Sequence, residues 1–230
     1  MSGVPADGTV VAIDGPAGAG KSTVARRVAE ELGLPYLDTG AMYRAVALGL
    51  LEEGVDLSDR EEVTGSLDSV ALDLVPGESE AAEIRLRGEP VAERIRTAEV
   101  GEAASKVAAV PAVRRRMVRL QRSFGESHGA VLEGRDIGTV VFPETPHKFF
   151  LDASQEERVR RRARERRRKG EAVDEEEVGR ELSRRDARDR GRADSPLRAD
   201  ESYTIIDTSD LGIDEVVARV VSSVRSRVTG

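Results

Sequence analysis

The sequence predicts a three-layer α/β/α sandwich around a five-stranded parallel sheet, with a small antiparallel β-containing insert and an arginine-rich helical segment. Three observations predict it. Five short apolar runs recur along the chain, Thr9 to Ile13, Pro35 to Leu37, Ala130 to Leu132, Lys148 to Leu151 and Tyr203 to Ile206. Helical patterns at Thr23 to Leu32, Ala41 to Glu52, Val113 to Phe124 and Asp214 to Val228 lie between or after these runs, the alternation of βαβ units. A glycine-rich segment joins the first run to the first helix, and in such sheets ligands gather beyond the carboxyl ends of the strands.

That first connection, residues 15 to 22, reads GPAGAGKS. Strand, loop and helix stand in the order a phosphate-binding loop requires. Gly15, Gly18 and Gly20 allow a tight turn with inward N–H groups, and the following helix adds the positive end of its dipole. Pro16, Ala17, Ala19 and Thr23 complete the cradle. Lys21 can reach β- and γ-phosphates, and the Ser22 hydroxyl can hold a magnesium ion. A nucleoside triphosphate is the expected ligand.

Composition bounds the rest. The chain has 230 residues, enough for one sizeable core, and is 39% hydrophobic and 34% charged. A net charge of −7 argues against a general nucleic-acid or membrane-surface binder. Without cysteine there is neither a disulfide frame nor thiolate ligation. No secretory pattern or membrane-length apolar run occurs, so a cytoplasmic enzyme is expected, and a monomer, since no exposed apolar stripe stands out. His128 and His147 stand apart from other ligand types, which disfavours imidazole chemistry.

After the second run comes Asp38-Thr39-Gly40-Ala41-Met42-Tyr43-Arg44. Asp38 or Thr39 can cap the next helix, and Arg44, one turn in, can grip a second phosphate. Val70 to Val75 and Glu83 to Leu86 alternate like antiparallel strands around Pro76-Gly77-Glu78, with Gly88-Glu89-Pro90 read as a further turn. After the third run comes Glu133-Gly134-Arg135-Asp136-Ile137-Gly138-Thr139. Arg135 would neutralise phosphate. Asp136 has three readings: a base amino group, the outer shell of magnesium, or an ion pair with Arg135 that closes the loop.

Glu156 to Arg192 holds fifteen Lys or Arg against eleven Asp or Glu and few large apolar residues, so it should bury little and be mobile when empty. On one continuous helix, Arg185, Arg188, Asp189 and Arg192 would share a face able to close over a polyphosphate. Helix-surface ion pairing would explain the same spacing.

Taken together, IDGPAGAGKS, LDTGAMYRA, RTAEVGEAASKVAA, EGRDIGTVVFP, FLDAS with QEERVRRR, and RRDARDRGRADSPL give a chain that resembles the bacterial cytidylate kinase family. These are nucleoside monophosphate kinases of the P-loop superfamily, which move a phosphoryl group from ATP to CMP or dCMP. The resemblance implies a flexible start over residues 1–8 and one kinase domain over 9–227. Its core would be 9–62, 106–156 and 193–227, its monophosphate-side insert 63–105 and its lid 157–192. It further implies that Ser105, Arg114 and Asp136 contact the base, that Arg44 and Arg135, with Thr39 nearby, contact the CMP phosphate, and that Arg185, Asp189 and Arg192 serve the sugar and the lid. Arg161 would lie on the adenosine side, and Lys21, Arg135, Arg188 and Arg192 would carry the transfer. Cytosine chemistry agrees: a carboxylate suits the N4 amino donor and a guanidinium suits N3 and O2.

An acceptor phosphate with a second pKa near 6 needs no general base, so alignment and charge neutralisation would carry the reaction. The expected partners are small nucleotides, with Mg2+ beside ATP. A shikimate kinase is the nearest enzymatic rival, but it would place a DTD-like run where this chain has Asp-Thr-Gly. A GTPase switch would need an NKxD-like motif, and an RNA binder would need a less diluted basic segment and more aromatics than 3%.

Overall fold

The computed structural model describes residues 8–77, 81–192 and 194–228. In chain order, β1 (Val10–Asp14), α1 (Lys21–Leu32), β2 (Tyr36–Asp38), α2 (Thr39–Glu52) and a short α3 (Arg60–Gly65) lead into three strands, β3 (Leu72–Val75), β4 (Glu83–Leu86) and β5 (Glu89–Pro90). They are followed by α4 (Ala98–Val107), α5 (Pro111–His128), β6 (Ala130–Gly134), β7 (His147–Asp152), α6 (Gln155–Arg168), α7 (Glu175–Arg190), β8 (Thr204–Asp207) and α8 (Ile213–Val228).

The five expected apolar runs form one parallel sheet in the order β2-β6-β1-β7-β8. Every residue of β1 is buried, which is why it reads as a continuous apolar run rather than an alternating one: helices cover both faces. On one face, Val24, Val28 and Leu32 of α1 pack with Val216, Val220 and Val224 of α8. On the other, Met42 and Leu50 of α2 pack with Met117 and Phe124 of α5 and Val100 and Val107 of α4. Because the strands are parallel, the connections after β1, β2, β6, β7 and β8 all emerge at one end of the sheet.

The insert folds as a three-stranded antiparallel sheet with the register Leu72↔Leu86 to Val75↔Glu83. Glu78 of the expected first turn lies outside the described residues. The second expected turn is corrected: Arg87 and Gly88, at φ 53° and 83°, make the two-residue turn, and Glu89–Pro90 pair with β4 as a strand. Both turn residues take positive φ, as a primed hairpin turn requires, and Pro90 sits on an edge strand where its missing N–H is tolerated. Ala81 bridges to Tyr36, and the Ala82 N–H donates to the Tyr36 carbonyl at 2.8 Å, so the insert is stitched to β2.

The arginine-rich stretch forms α6 and α7, capped by Ser154 and Asp174, with a small apolar cluster of Val159, Val178 and Leu182 against Ala17. The single four-residue face expected on α7 is corrected. The helix stops at Arg190, so Arg192 is not on it, and Arg188 is exposed while Asp189 is buried. Gly191, the worst helix former after proline, marks the stop.

Candidate active site

The glycine-rich loop crosses the carboxyl end of β1. A Cβ on Gly15 would lie 2.0 Å from the Leu151 carbonyl oxygen, so the loop can pass β7 only at a residue without one. The loop carbonyls are engaged by the protein: Pro16 accepts from Lys21 Nζ at 2.7 Å, Ala17 from Arg158 at 3.1 Å and Ala19 from the Thr208 hydroxyl at 3.2 Å. The N–H groups of residues 17–21 have no acceptor among the described residues. A curved row of donors with its acceptors already used is an anion cradle.

Around Lys21 the other cations converge. Arg135, at the end of β6, donates through Nε to Asp189 Oδ2 at 2.8 Å, and Arg192 donates to the other oxygen of the same carboxylate. Burial alone would raise Asp189, and Arg135 and Arg192 hold it below the usual carboxylate range. Burial together with Arg135 and Arg44 pushes Arg185 down to about 10. Burial and Arg135, against the pull of Glu133, push Lys21 down to about 7. Neither Arg44 nor Arg185 forms an ion pair among the described residues. Like charges held this close, with Asp189 as the shared carboxylate, favour an anion between them.

Behind this cluster, Arg114 of α5 and Asp136 form an ion pair with side chains 5% and 9% exposed. Arg114 also lies over the Tyr43 ring, and its Nε is buried without a partner. Asp136 therefore pairs with Arg114, and the closing pair with Arg135 considered from the sequence does not form, because Arg135 is held by Asp189. Ser105 is half-buried on the last turn of α4 and shares no hydrogen bond with this pair among the described residues. The Thr39 hydroxyl donates to the Glu133 carbonyl at 2.6 Å, while Asp38 caps α2 through Ala41 N–H at 2.9 Å.

Arg161 of α6 donates to the Thr208 hydroxyl at 3.0 Å and its carbonyl at 2.6 Å, beside Gly20. Arg188 is exposed and donates to the Arg184 carbonyl at 3.4 Å, with no ion pair among the described residues.

Sequence reasoning missed three participants. Glu133, given no role in the run after the third strand, is buried and accepts from the Tyr36 and Ser22 hydroxyls, with burial and Asp38 raising it above the usual carboxylate range. Arg158 joins the Ala17 carbonyl to the buried Asp186 of α7. Asp14, 0% exposed at the end of β1, binds the segment after β6, and burial raises it to about 6. A carboxylate in a continuous apolar strand was the available signal for Asp14. Ser22 and Glu133 present hard oxygen donors beside Lys21, which suits magnesium, a metal that takes few protein ligands and shares the rest with phosphates. No cluster of three or more His, Cys, Asp or Glu shaped for a metal occurs among the described residues.

A phosphate cradle at the open end of a parallel sheet, facing guanidinium groups from three other elements, defines a P-loop kinase whose acceptor is itself anionic. The solved structure of an uncharacterized protein from Eubacterium ventriosum ATCC 27560 shares this fold, with a TM-score of 0.51 and 15% identity over 95% of this chain and 99% of that one. The chain belongs to the cytidylate kinase family: the family model described as Cytidylate kinase matches residues 11–226. It is 49% identical to a cytidylate kinase of Solibacter usitatus over 96% of this chain and 94% of that protein. It is 46% identical to one from Caldanaerobacter subterraneus subsp. tengcongensis, covering 96% of each. With one from Pasteurella multocida it is 42% identical over 95% of this chain and 96% of the relative.

Proposed function

We propose that this chain transfers the γ-phosphoryl group of ATP to the phosphate of CMP and dCMP by direct in-line displacement. The observation that carries the reading is the convergence of Arg135, Arg185 and Arg192 on Asp189 as shared counter-charge, with Arg44 acting on Arg185 and Lys21 of the glycine loop acted on by Arg135 and Arg185. Family membership supplies the nucleotides. The 15–22 loop, with Thr23, cradles the donor phosphates, and Arg161 stands on the nucleoside side of that loop. Arg44 and Arg135, with Thr39 close by, take the acceptor phosphate. Asp189, Arg185 and Arg192 serve the sugar and the moving phosphoryl group, and Arg188, on the exposed side of α7, is the further cation assigned to the transfer.

Asp136 and Arg114, with Ser105, read the base. The carboxylate accepts from the cytosine amino group, and the guanidinium donates to the ring nitrogen and carbonyl. Uracil reverses this polarity, leaving buried groups unpaired, and a site built this way discriminates strongly. Magnesium, held from Ser22 with Glu133 beside it, would neutralise charge on the transferring phosphates. The chain's own residues do the rest: they align two anions and exclude water, with no general base.

Among the described residues no helix is long and apolar enough to cross a membrane, and the large exposed hydrophobics are Ile205 and Ile213. A monomeric, cytoplasmic enzyme fits these features and the net charge of −7. The test is a coupled assay of ADP release with CMP, dCMP, UMP, AMP and shikimate in turn. Rapid turnover with CMP and dCMP is expected, and inertness toward every pyrimidine nucleotide overturns the reading.

A further inference from the structure

Among the described residues three α-helices follow an aspartate, and each time that aspartate caps its own helix: Asp38 before α2, Asp59 before α3 and Asp174 before α7. This is the ordinary behaviour of the residue, whose side chain accepts from the helix's first free N–H groups. Asp136 breaks the pattern. It stands immediately before a π-helical turn at Ile137–Val141, closed by the Phe142 N–H on the Ile137 carbonyl at 2.7 Å, and makes no capping bond. Its carboxylate points instead at Arg114.

The leading N–H groups of that turn are already taken. Asp14 Oδ1 accepts from Ile137 N–H at 3.0 Å, and Oδ2 accepts from Gly138 N–H at 2.9 Å and from the Tyr203 hydroxyl at 2.6 Å. The fit is close, since a Cβ on Gly138 would lie 2.6 Å from the Tyr203 oxygen. A carboxylate on β1, more than 120 residues earlier in the chain, thus does for the turn what its own preceding aspartate would otherwise do.

We infer that Asp14 is a positioning residue for the acceptor base: by capping the 137–141 turn in place of Asp136, it frees the Asp136 carboxylate to face Arg114. This rests on the reading of Asp136 and Arg114 as base contacts. Without Asp14, two buried N–H groups lack an acceptor, and the nearest carboxylate is that of Asp136. Capping them draws Asp136 off Arg114. The hydrogen bonds of Asp14 all go to the turn and Tyr203, and its charge is the smallest of those acting on Lys21, so the loss falls on the acceptor rather than the donor.

The experiment measures KM for CMP and for ATP in Asp14→Asn, Asp136→Asn and the double variant of the full chain. Asp14→Asn is expected to raise the CMP KM tenfold or more while the ATP KM stays within twofold. In the Asp136→Asn background, adding Asp14→Asn is expected to change the CMP KM less than twofold, because the route is already cut. An equal rise in both KM values, an unchanged CMP KM, or full additivity in the double variant overturns the inference. If Asp14→Asn folds poorly, Tyr203→Phe removes one donor and leaves the carboxylate. A CMP-selective rise of about two- to fivefold then supports the role, and no change overturns it. Failure of the unaltered enzyme to phosphorylate CMP would instead sink the underlying assignment of the acceptor.

Discussion

The Asp189 carboxylate is shared between Arg135, which donates to one oxygen, and Arg192, which donates to the other, so a residue of α7 ties the end of β6 to the segment just past its own helix. Its side chain is 2% exposed, and both arginines are mostly covered. Removing one member of a buried pair leaves the others uncompensated, which costs about 3–5 kcal/mol. Asp189→Ala is therefore expected to lower kcat/KM for CMP by about 100-fold or more, each tenfold being about 1.4 kcal/mol. A steady-state assay that finds less than a fivefold change removes Asp189 from the acceptor site.

Lys21 titrates near pH 7 because burial and Arg135 disfavour its charge. A bound polyphosphate reverses that balance and restores the ammonium. The sign follows: at pH 8 the free protein holds Lys21 mostly neutral, so ATP binding takes up about one proton, and at pH 6, where the lysine is already charged, it takes up almost none. Calorimetry in Tris and in HEPES at both pH values measures this from the difference in apparent enthalpy. Lys21→Met is expected to abolish the uptake and to lower kcat by about 10²–10³, the usual loss for one preorganised charge at a transition state.

Arg114→Met strands the buried Asp136 carboxylate and removes the donor proposed to face cytosine. The CMP KM is expected to rise about 30-fold or more, on the scale of about 2 kcal/mol for a good bidentate base contact, with the ATP KM nearly unchanged. A loss shared equally by CMP and ATP would mean that Arg114 supports the fold and not the base.

Arg158 and Asp186 form a buried pair between α6 and α7, and Arg158 also holds the Ala17 and Ala153 carbonyls. Either single truncation is expected to destabilise the protein by about 2–4 kcal/mol, and the double variant by less than the sum. Urea melts supply the coupling energy. Hydrogen exchange should show α7 losing protection first, since α6 and α7 share only a small apolar cluster.

Much of this was legible in the residues themselves. The five strands carry apolar runs whose periodicity is that of covered strands, and GPAGAGKS has one mechanical use between a strand and a helix. The helices α3 and α4 were harder: α3 is six residues long and buries only Val63, and the buried face of α4, Val100, Ala103, Ala104 and Val107, is half alanine and gives little contrast. Which arginine meets which carboxylate was not legible, because fifteen basic residues in one segment offer many pairings that only tertiary geometry decides. The choice of Asp14 over Asp136 as the cap was hidden for the same reason: the partners are joined by the strand order and not by spacing.

The stitch from Ala81 and Ala82 to Tyr36 has a colloidal consequence. A parallel sheet has two raw borders where another chain can add a strand, and here the insert occupies the one beside β2. The opposite border, β8, shows Ile205 at 66% exposure. Precipitation on heating should therefore grow from that side alone, and a single lysine at position 205 should slow it while leaving the melting temperature where it was.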